Sequence, residues 1–275
     1  KEARDLRLLT TLQQKKELLQ SLGVDHVEVL PFTKDFSSIT VEEYLRETVI
    51  GKYGGTAVLL GYDNRIGCDA KDADHVARIA ESLGLEVLRA DMISSDTGVA
   101  VSSTKIRGRL SEGDVTGAAD MLGYRYSLHG VVVAGNRLGR TIGFPTANMQ
   151  LYEPLKLIPA NGVYFVTVRT LGRDLYGMCN IGCRPTVGTG NARTIETHIF
   201  DFDEDIYGLD MKITFIERIR EEHRFESLDE LKAQLTKDKA VILSKAKPRR
   251  RIYAFGLHLQ SNRCQDPSTR STRSG

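Results

Sequence analysis

The chain of 275 residues contains no tryptophan and only four cysteines, and no stretch is apolar for long enough to cross a bilayer. No signal peptide opens it. Few and scattered cysteines leave no disulfide framework, so a reducing cytoplasm is the default reading and no membrane partner is expected. Cys179 and Cys183 stand four apart, but no second Cys/His pair completes a zinc site. Cys179 reads as a reduced, half-buried strand residue. Net charge is scarce too, at +2, but it is unevenly spread. Residues 237–275 hold ten Lys/Arg and two Asp, a net of +8, so the rest of the chain stands at −6. A mildly acidic body does not point to nucleic acid as the main partner. After Ala246 comes the basic cluster Lys247-Pro248-Arg249-Arg250-Arg251, then a polar Ser/Thr/Arg-rich end. Residues 247–275 read as a solvated, disordered tail ahead of any role on nucleic acid or a membrane surface.

What is present is ordinary for a globular protein: 41% hydrophobic and 27% charged residues, and length for one or two domains. The first hundred residues alternate helix and strand patterns. Thr10 to Leu22 is helical, with Leu12, Leu18, Leu19 and Leu22 apolar and Gly23 terminating it. His26–Leu30 reads as a strand. Thr40 and Glu43 form a capping-box pattern opening a helix toward Gly51. Thr56–Leu60 is a wholly apolar strand of the kind covered on both faces. Asp72–Leu83 is helical, Leu85–Leu88 a strand, and Asp114–Leu122 a short helix. This alternation implies a parallel α/β sheet. From Ser127 to Ile219 the character changes. Val131–Val133, Val163–Val168, Met178–Ile181, Thr194–Phe200 and Met211–Ile216 are β-branched runs separated by Gly, Pro or Asn, as in a small antiparallel barrel. Ser227 and Glu230 then cap an amphipathic helix carrying Leu228, Leu231 and Leu235. Nothing in the sequence fixes an oligomeric state.

The densest signal is Gly135 to Asn148, GNRLGRTIGFPTAN. Glycines let a backbone approach a ligand, and free N–H groups cradle phosphate oxygens. Thr146 offers a hydroxyl and Asn148 an amide carbonyl, both hard oxygen donors for Mg²⁺, although two neutral ligands need phosphates and water to complete the shell. On the glycines alone a β-hairpin with a Pro turn is the better reading. The full string, GxxxGRTxGFPTAN, resembles the signature of the riboflavin kinase family. Asn161-Gly162-Val163-Tyr164, Asn180-Ile181-Gly182-Cys183-Arg184-Pro185-Thr186, Thr194 to Phe202 and Asp205-Ile206-Tyr207-Gly208 follow in that family's order and spacing. The resemblance spans about residues 122 to 243.

It implies ATP plus riboflavin giving FMN plus ADP. On a strand, Thr194, Glu196, His198 and Phe200 share one face and Ile195, Thr197 and Ile199 the other. Alone, such a Glu is more often an exposed charge; the resemblance makes Glu196 the catalytic base. It also makes Thr146 and Asn148 the Mg²⁺ ligands of MgATP, and puts Gly135, Gly139 and Arg140 in the loop over the phosphates. Arg140 as a bare surface charge fits its surroundings equally well. Arg184 is a weaker nucleotide or product contact, His198 a structural residue, and the flavin slot lies near Phe225 to Leu235.

The N-terminal half resembles the FMN adenylyltransferase module of bacterial bifunctional FAD synthetases. Gly61-Tyr62-Asp63-Asn64-Arg65-Ile66-Gly67 matches a GxDxRxG loop, and Ser102-Ser103-Thr104-Lys105-Ile106-Arg107 matches SSTxIR. There the resemblance implies a nucleotide site of Gly61, Asp63, Arg65, Gly67, Ser102, Ser103, Thr104 and Arg107; read alone, SSTKIR is equally a capped helix start. The family's opening strand and its GxFDGxHxGH loop have no counterpart after Lys1, and none of the six histidines restores the HxGH spacing. Adenylyl transfer is therefore expected to be absent or badly impaired. The expected architecture is α/β plus β: a truncated Rossmann-like nucleotidyltransferase domain at 1–121, a small antiparallel β-barrel kinase domain with a C-terminal helix at 122–246, and the tail. Two alternatives stay open: a fully bifunctional enzyme represented by a fragment, and a flavin- or nucleotide-binding module without turnover.

Overall fold

The computed structural model describes residues 7–62, 64–69, 72–94, 98, 100–135, 138–185 and 191–246. The tail, Asp63 and the Arg184 side chain lie outside the described residues.

The N-terminal unit begins with α1 (Leu12–Ser21), opened by a capping box in which the Thr11 hydroxyl accepts from Gln14 N and the Gln14 side-chain oxygen Oε1 from Thr11 N. The leucine face expected there docks only in part: Leu18 and Leu19 are half-buried, Leu12 and Leu22 are more than half exposed, and the one buried residue is Gln14. Its amide oxygen accepts from Lys156 Nζ at 2.7 Å, so the helix is held by a polar contact. The strand expected at His26–Leu30 is irregular. Among the described residues no strand pairs with it, and β-branched residues do not form a strand without a ladder partner. After α2 (Lys34–Ser37), the Thr40/Glu43 capping box opens α3 (Val41–Glu43), which continues as π-helix over Tyr44–Lys52.

β1 (Ala57–Gly61) and β2 (Glu86–Ala90) pair in parallel, Ala57 opposite Glu86 through Gly61 opposite Ala90. Between them runs α4 (Ala73–Ser82), capped by the Asp72 carboxylate. The expectation that β1 is covered on both faces does not hold. Val58 and Leu60 pack on Val41, Leu45, Val76, Ala77 and Ala80, whereas Leu59 is 66% exposed beside half-exposed Leu88. One helical layer covers one face of a two-stranded sheet and leaves the other open.

Next come α5 (Ser103–Glu112), N-capped by Ser102, and α6 (Val115–Leu122), capped by Asp114. Their Ile106, Leu110, Val115, Ala118 and Met121 join the interior of the barrel. That barrel is closed and wholly antiparallel, in the order β3 (Ser127–Val133), β4 (Ala147–Leu151), β7 (Asn191–Ile199), β6 (Arg173–Pro185), β5 (Gly162–Thr170), β8 (Asp210–Arg220). Inside it lie Leu128, Val132, Met149, Tyr164, Val166, Cys179, Ile181, Ile195 and Phe215. Cys179 is fully buried, not half-buried, and burial pushes its thiol up to about 12. A second apolar layer forms on the barrel's outer face. There Val163, Phe165, Met178, Phe200 and Ile216 receive Ile142 and Phe144 from the loop after α7 (Leu138–Thr141), and Ile242 and Ala246 from α8 (Leu228–Ala246).

Candidate active site

The segment from Leu138 to Thr146 folds back over the outer face of the barrel for local reasons. Phe144 N donates to Gly139 O at 2.8 Å, closing the turn after α7. A Cβ on Gly139 would lie 2.1 Å from the Phe144 carbonyl, and one on Gly135 would lie 2.1 Å from the Asn148 amide nitrogen. Backbone approach therefore demands glycine at 139, whereas at 135 a side chain would have to displace the Asn148 amide. Apolar Ile142 and Phe144 bury under α8 and drag the turn down with them. His198 finishes the anchoring. Its Nδ1 donates to Pro145 O at 2.8 Å, and its ring stands edge-on between Phe144 and Phe200. Burial lowers its pKa, with the Pro145 bond opposing, so it is a neutral, packed residue.

That fixed turn delivers Pro145-Thr146-Ala147-Asn148 into β4. In the sheet Asn148 lies opposite Glu196, and Ala147 opposite Thr197. Directly opposed residues of an antiparallel pair share a face, so Asn148 and Glu196 stand side by side outside the barrel while Ile195, Thr197 and Ile199 point in. The Thr146 hydroxyl donates to Glu196 Oε2 at 3.4 Å. Thr146, Asn148 and Glu196 are all half-buried.

Thr146 also lines a cavity of about 480 Å³ at the mouth of the barrel, with Arg140, Ile199, Asp203, Asp205 and Tyr207. Thr146 is thus shared between the cavity lining and the Glu196 carboxylate. Arg140 is exposed at its rim, and Gly135 and Gly139 shape the loop behind it. Among the described residues no three His, Cys, Asp or Glu are grouped so as to hold a metal. The oxygens of Thr146 and Asn148 suit a cation that arrives on phosphates better than a resident one.

At the far end, α8 is clamped to β8. The Arg220 guanidinium donates to Asp238 at 2.9 Å, Gln234 donates to the other Asp238 oxygen at 2.8 Å, and Arg220 lies over the Phe225 ring at 5.7 Å. Leu231 and Leu235 pack on the outer apolar layer beside it. Arg220 and Asp238 carry no motif; only their burial and pairing single them out.

In the N-terminal unit, a crevice of about 260 Å³ opens at the C-terminal ends of β1 and β2. Gly61 lines it, with Asp72, Asp74, Asp91 and Arg89, and no residue of the Ser102–Arg107 segment does. Gly67 has φ +81°, and a side chain there would strike Val41 N. Arg65 is exposed. Ser102 caps α5 by accepting from Lys105 N, Ser103 and Thr104 are exposed in its first turn, and Arg107 Nε donates to Arg7 O at 2.9 Å.

Comparison with known proteins gives a consistent picture. Residues 122–245 match the riboflavin kinase family and residues 1–105 the FAD synthetase family. The chain is 37% identical over 235 residues to the bifunctional riboflavin kinase/FMN adenylyltransferase of Escherichia coli K12, covering 84% of this chain and 73% of that protein. It is 35% identical over 238 residues to the protein of that name from Listeria monocytogenes, covering 86% and 74%. A crystal structure from Streptococcus pneumoniae superposes with a TM-score of 0.78 at 32% identity, over 85% of this chain and 75% of that one. That protein is named for macrolide efflux; among the described residues here no helix is long and apolar enough to cross a membrane.

Proposed function

Because the chain belongs to the bifunctional riboflavin kinase/FMN adenylyltransferase family, we propose that its barrel transfers the terminal phosphoryl group of ATP to riboflavin, giving FMN and ADP, at the meeting point of Thr146, Asn148 and Glu196. The observation that carries this reading is Thr146, which lines the cavity and whose hydroxyl donates to Glu196 Oε2 at 3.4 Å. Phosphoryl transfer asks a protein for positioning and charge neutralisation. The cavity takes the nucleotide, with Arg140 near its phosphates. Glu196 accepts the proton of the flavin's terminal side-chain hydroxyl as that oxygen attacks, and ADP leaves. The Thr146 and Asn148 oxygens hold the nucleotide's divalent ion, which we take to be Mg²⁺; when bound, it offsets charge on the transferring group. The flavin ring lies against Phe225 and the first turns of α8. The reaction is cytoplasmic in this reading, and its partners are riboflavin, FMN, ATP and ADP.

Steady-state FMN formation by the wild type and by Glu196→Gln tests the assignment. Removing a general base lowers kcat on the order of 10² to 10⁴-fold, while riboflavin still binds. Turnover at the wild-type rate in the variant would take the role of base away from Glu196.

For the N-terminal unit we propose that these 275 residues do not by themselves carry out adenylyl transfer, which is the division of labour the 1–121 and 122–246 units suggest. None of the six histidines stands in HxGH spacing, and the β1–β2 crevice carries three carboxylates against one arginine, a poor match for a triphosphate. FAD appearing from FMN and ATP in the presence of the purified chain would overturn this.

A further inference from the structure

The Asn180-Ile181-Gly182 segment of β6 has no part in the chemistry above, yet it borders the base. Asn180 lies opposite Glu196, as Asn148 does from the other side, so three polar side chains stand abreast on β4, β7 and β6. All three face outward, because Cys179 and Ile181, which flank Asn180, are fully buried inside the barrel. Asn180 is half-buried, and its amide makes no hydrogen bond among the described residues. Two residues on, Gly182 leaves the face bare: a Cβ there would lie 2.3 Å from Glu222 Oε1 and 3.4 Å from the Asn180 amide nitrogen. The Glu222 carboxylate rests over this glycine, steered by Asn161, whose Nδ2 donates to Glu222 Oε2 at 3.1 Å. Asn161 is itself held by Arg193, which donates to its Oδ1 at 3.0 Å.

The result is a polar strip that begins at Glu196 and runs along β6. Two residues of strand span about 6.6 Å, the scale of a five-carbon chain. It presents a carboxylate, then an amide able to donate and accept, then a second carboxylate. Such an order suits successive hydroxyls, each of which donates and accepts. We propose that Asn180 and Glu222 bind the secondary hydroxyls of the flavin's polyol side chain and so bring its terminal hydroxyl to Glu196. This rests on the kinase reading of Glu196. It adds the groups that distinguish a polyol-bearing flavin from the bare ring.

Equilibrium binding to the full chain tests it, with riboflavin and with lumiflavin, which has the same ring system and no polyol. A site built to hydrogen-bond hydroxyls disfavours the analogue that lacks them, so the wild type binds riboflavin more tightly. Asn180→Val and Asn180→Ala then weaken riboflavin binding by roughly 3- to 10-fold, the worth of one or two hydrogen bonds, and leave lumiflavin binding unchanged. Valine favours a strand, and circular dichroism checks that both variants fold. Equal weakening for the two flavins, no change for either, or a wild type without preference each overturns the proposal. The binding ratio does not depend on turnover. A Glu196→Gln enzyme that still makes FMN at the normal rate would therefore refute the choice of base without touching Asn180, and the reverse holds.

Discussion

Gly135 and His198 show how single residues set the geometry of this site. The bare face of Gly135 is where the Asn148 amide rests, and the His198 ring holds the Pro145 carbonyl one residue before Thr146. Gly135 is conspicuous in the sequence, but its partner is not, because the contact joins the loop after β3 to β4. His198 has a structural role, and its bond to Pro145, 53 positions away, supplies the reason. The same burial has a consequence for pH. Desolvation, first among the causes, lowers the pKa of His198, with Lys239 adding to it and the Pro145 bond and Asp201 opposing; it lowers that of His129 as well, with Lys212 and Lys156 adding and Glu17 opposing. A histidine whose folded pKa lies below its unfolded value binds more protons when unfolded. Stability therefore rises with pH, is complete above the unfolded value of about 6.5, and is lost as pH falls through it toward the folded value. The urea midpoint is expected to drop between pH 7.5 and 5.5. His198→Asn keeps a donor for Pro145 and removes the titration, so its midpoint should vary less with pH. An unaltered slope in that variant would assign the effect to His129 and the carboxylates.

Elements were legible in proportion to how much of their structure is local. The capping residues Thr40, Asp72, Ser102 and Ser227 act within four residues, and the helices they open were found near their expected positions. The glycine- and proline-bounded β-branched runs gave five of the six barrel strands. The sixth, β4, shows no such run, although it carries Asn148. Its sequence, Ala147-Asn148-Met149-Gln150-Leu151, has no β-branched residue, and it is a strand because β3 and β7 flank it. Tertiary pairing overrode propensity there. The docking of α8 was equally hidden, since it depends on Asp238, a carboxylate only 3% exposed that joins Arg220 to Gln234. Truncating one partner of a buried pair strands the other. Asp238→Ala is expected to cost about 3 kcal/mol in urea denaturation, at the low end of that class because Arg220 keeps 21% exposure. Arg220→Met combined with Asp238→Leu should recover most of the loss. A single variant as stable as the wild type would mean that apolar packing by Ile242 and Leu235 alone holds the helix.

For the molecule as a whole, the decisive fact is that apolar burial is divided unequally. The barrel has an inner core, an outer layer under α8, and no free sheet edge. The β1–β2 unit has one small core and a sheet of two strands with Leu59 and Leu88 facing out. Two-stranded sheets are marginal alone, and regions of low contact density open at lower free energy than the global transition. Between them, α5 and α6 belong by packing to the barrel, through Ile106, Leu110, Val115, Ala118 and Met121, even though a division at 121/122 reads naturally from the sequence. Hydrogen exchange followed by mass spectrometry at rising urea separates these possibilities. Peptides from β1, α4 and β2 should lose protection first, while β5, β6 and β8 stay closed. Residues 103–122 should open together with the barrel and not with the β1–β2 unit. If 103–122 exchange in step with α4, the two helices belong to the N-terminal unit energetically, and the apolar contacts they make with Tyr126 and Leu128 contribute less than those they make on their own side. If every segment opens in one transition, the polar latch from Lys156 to Gln14 and the parallel backbone bridge that pairs Leu8 with Lys156 couple the halves strongly enough to make the chain a single cooperative body.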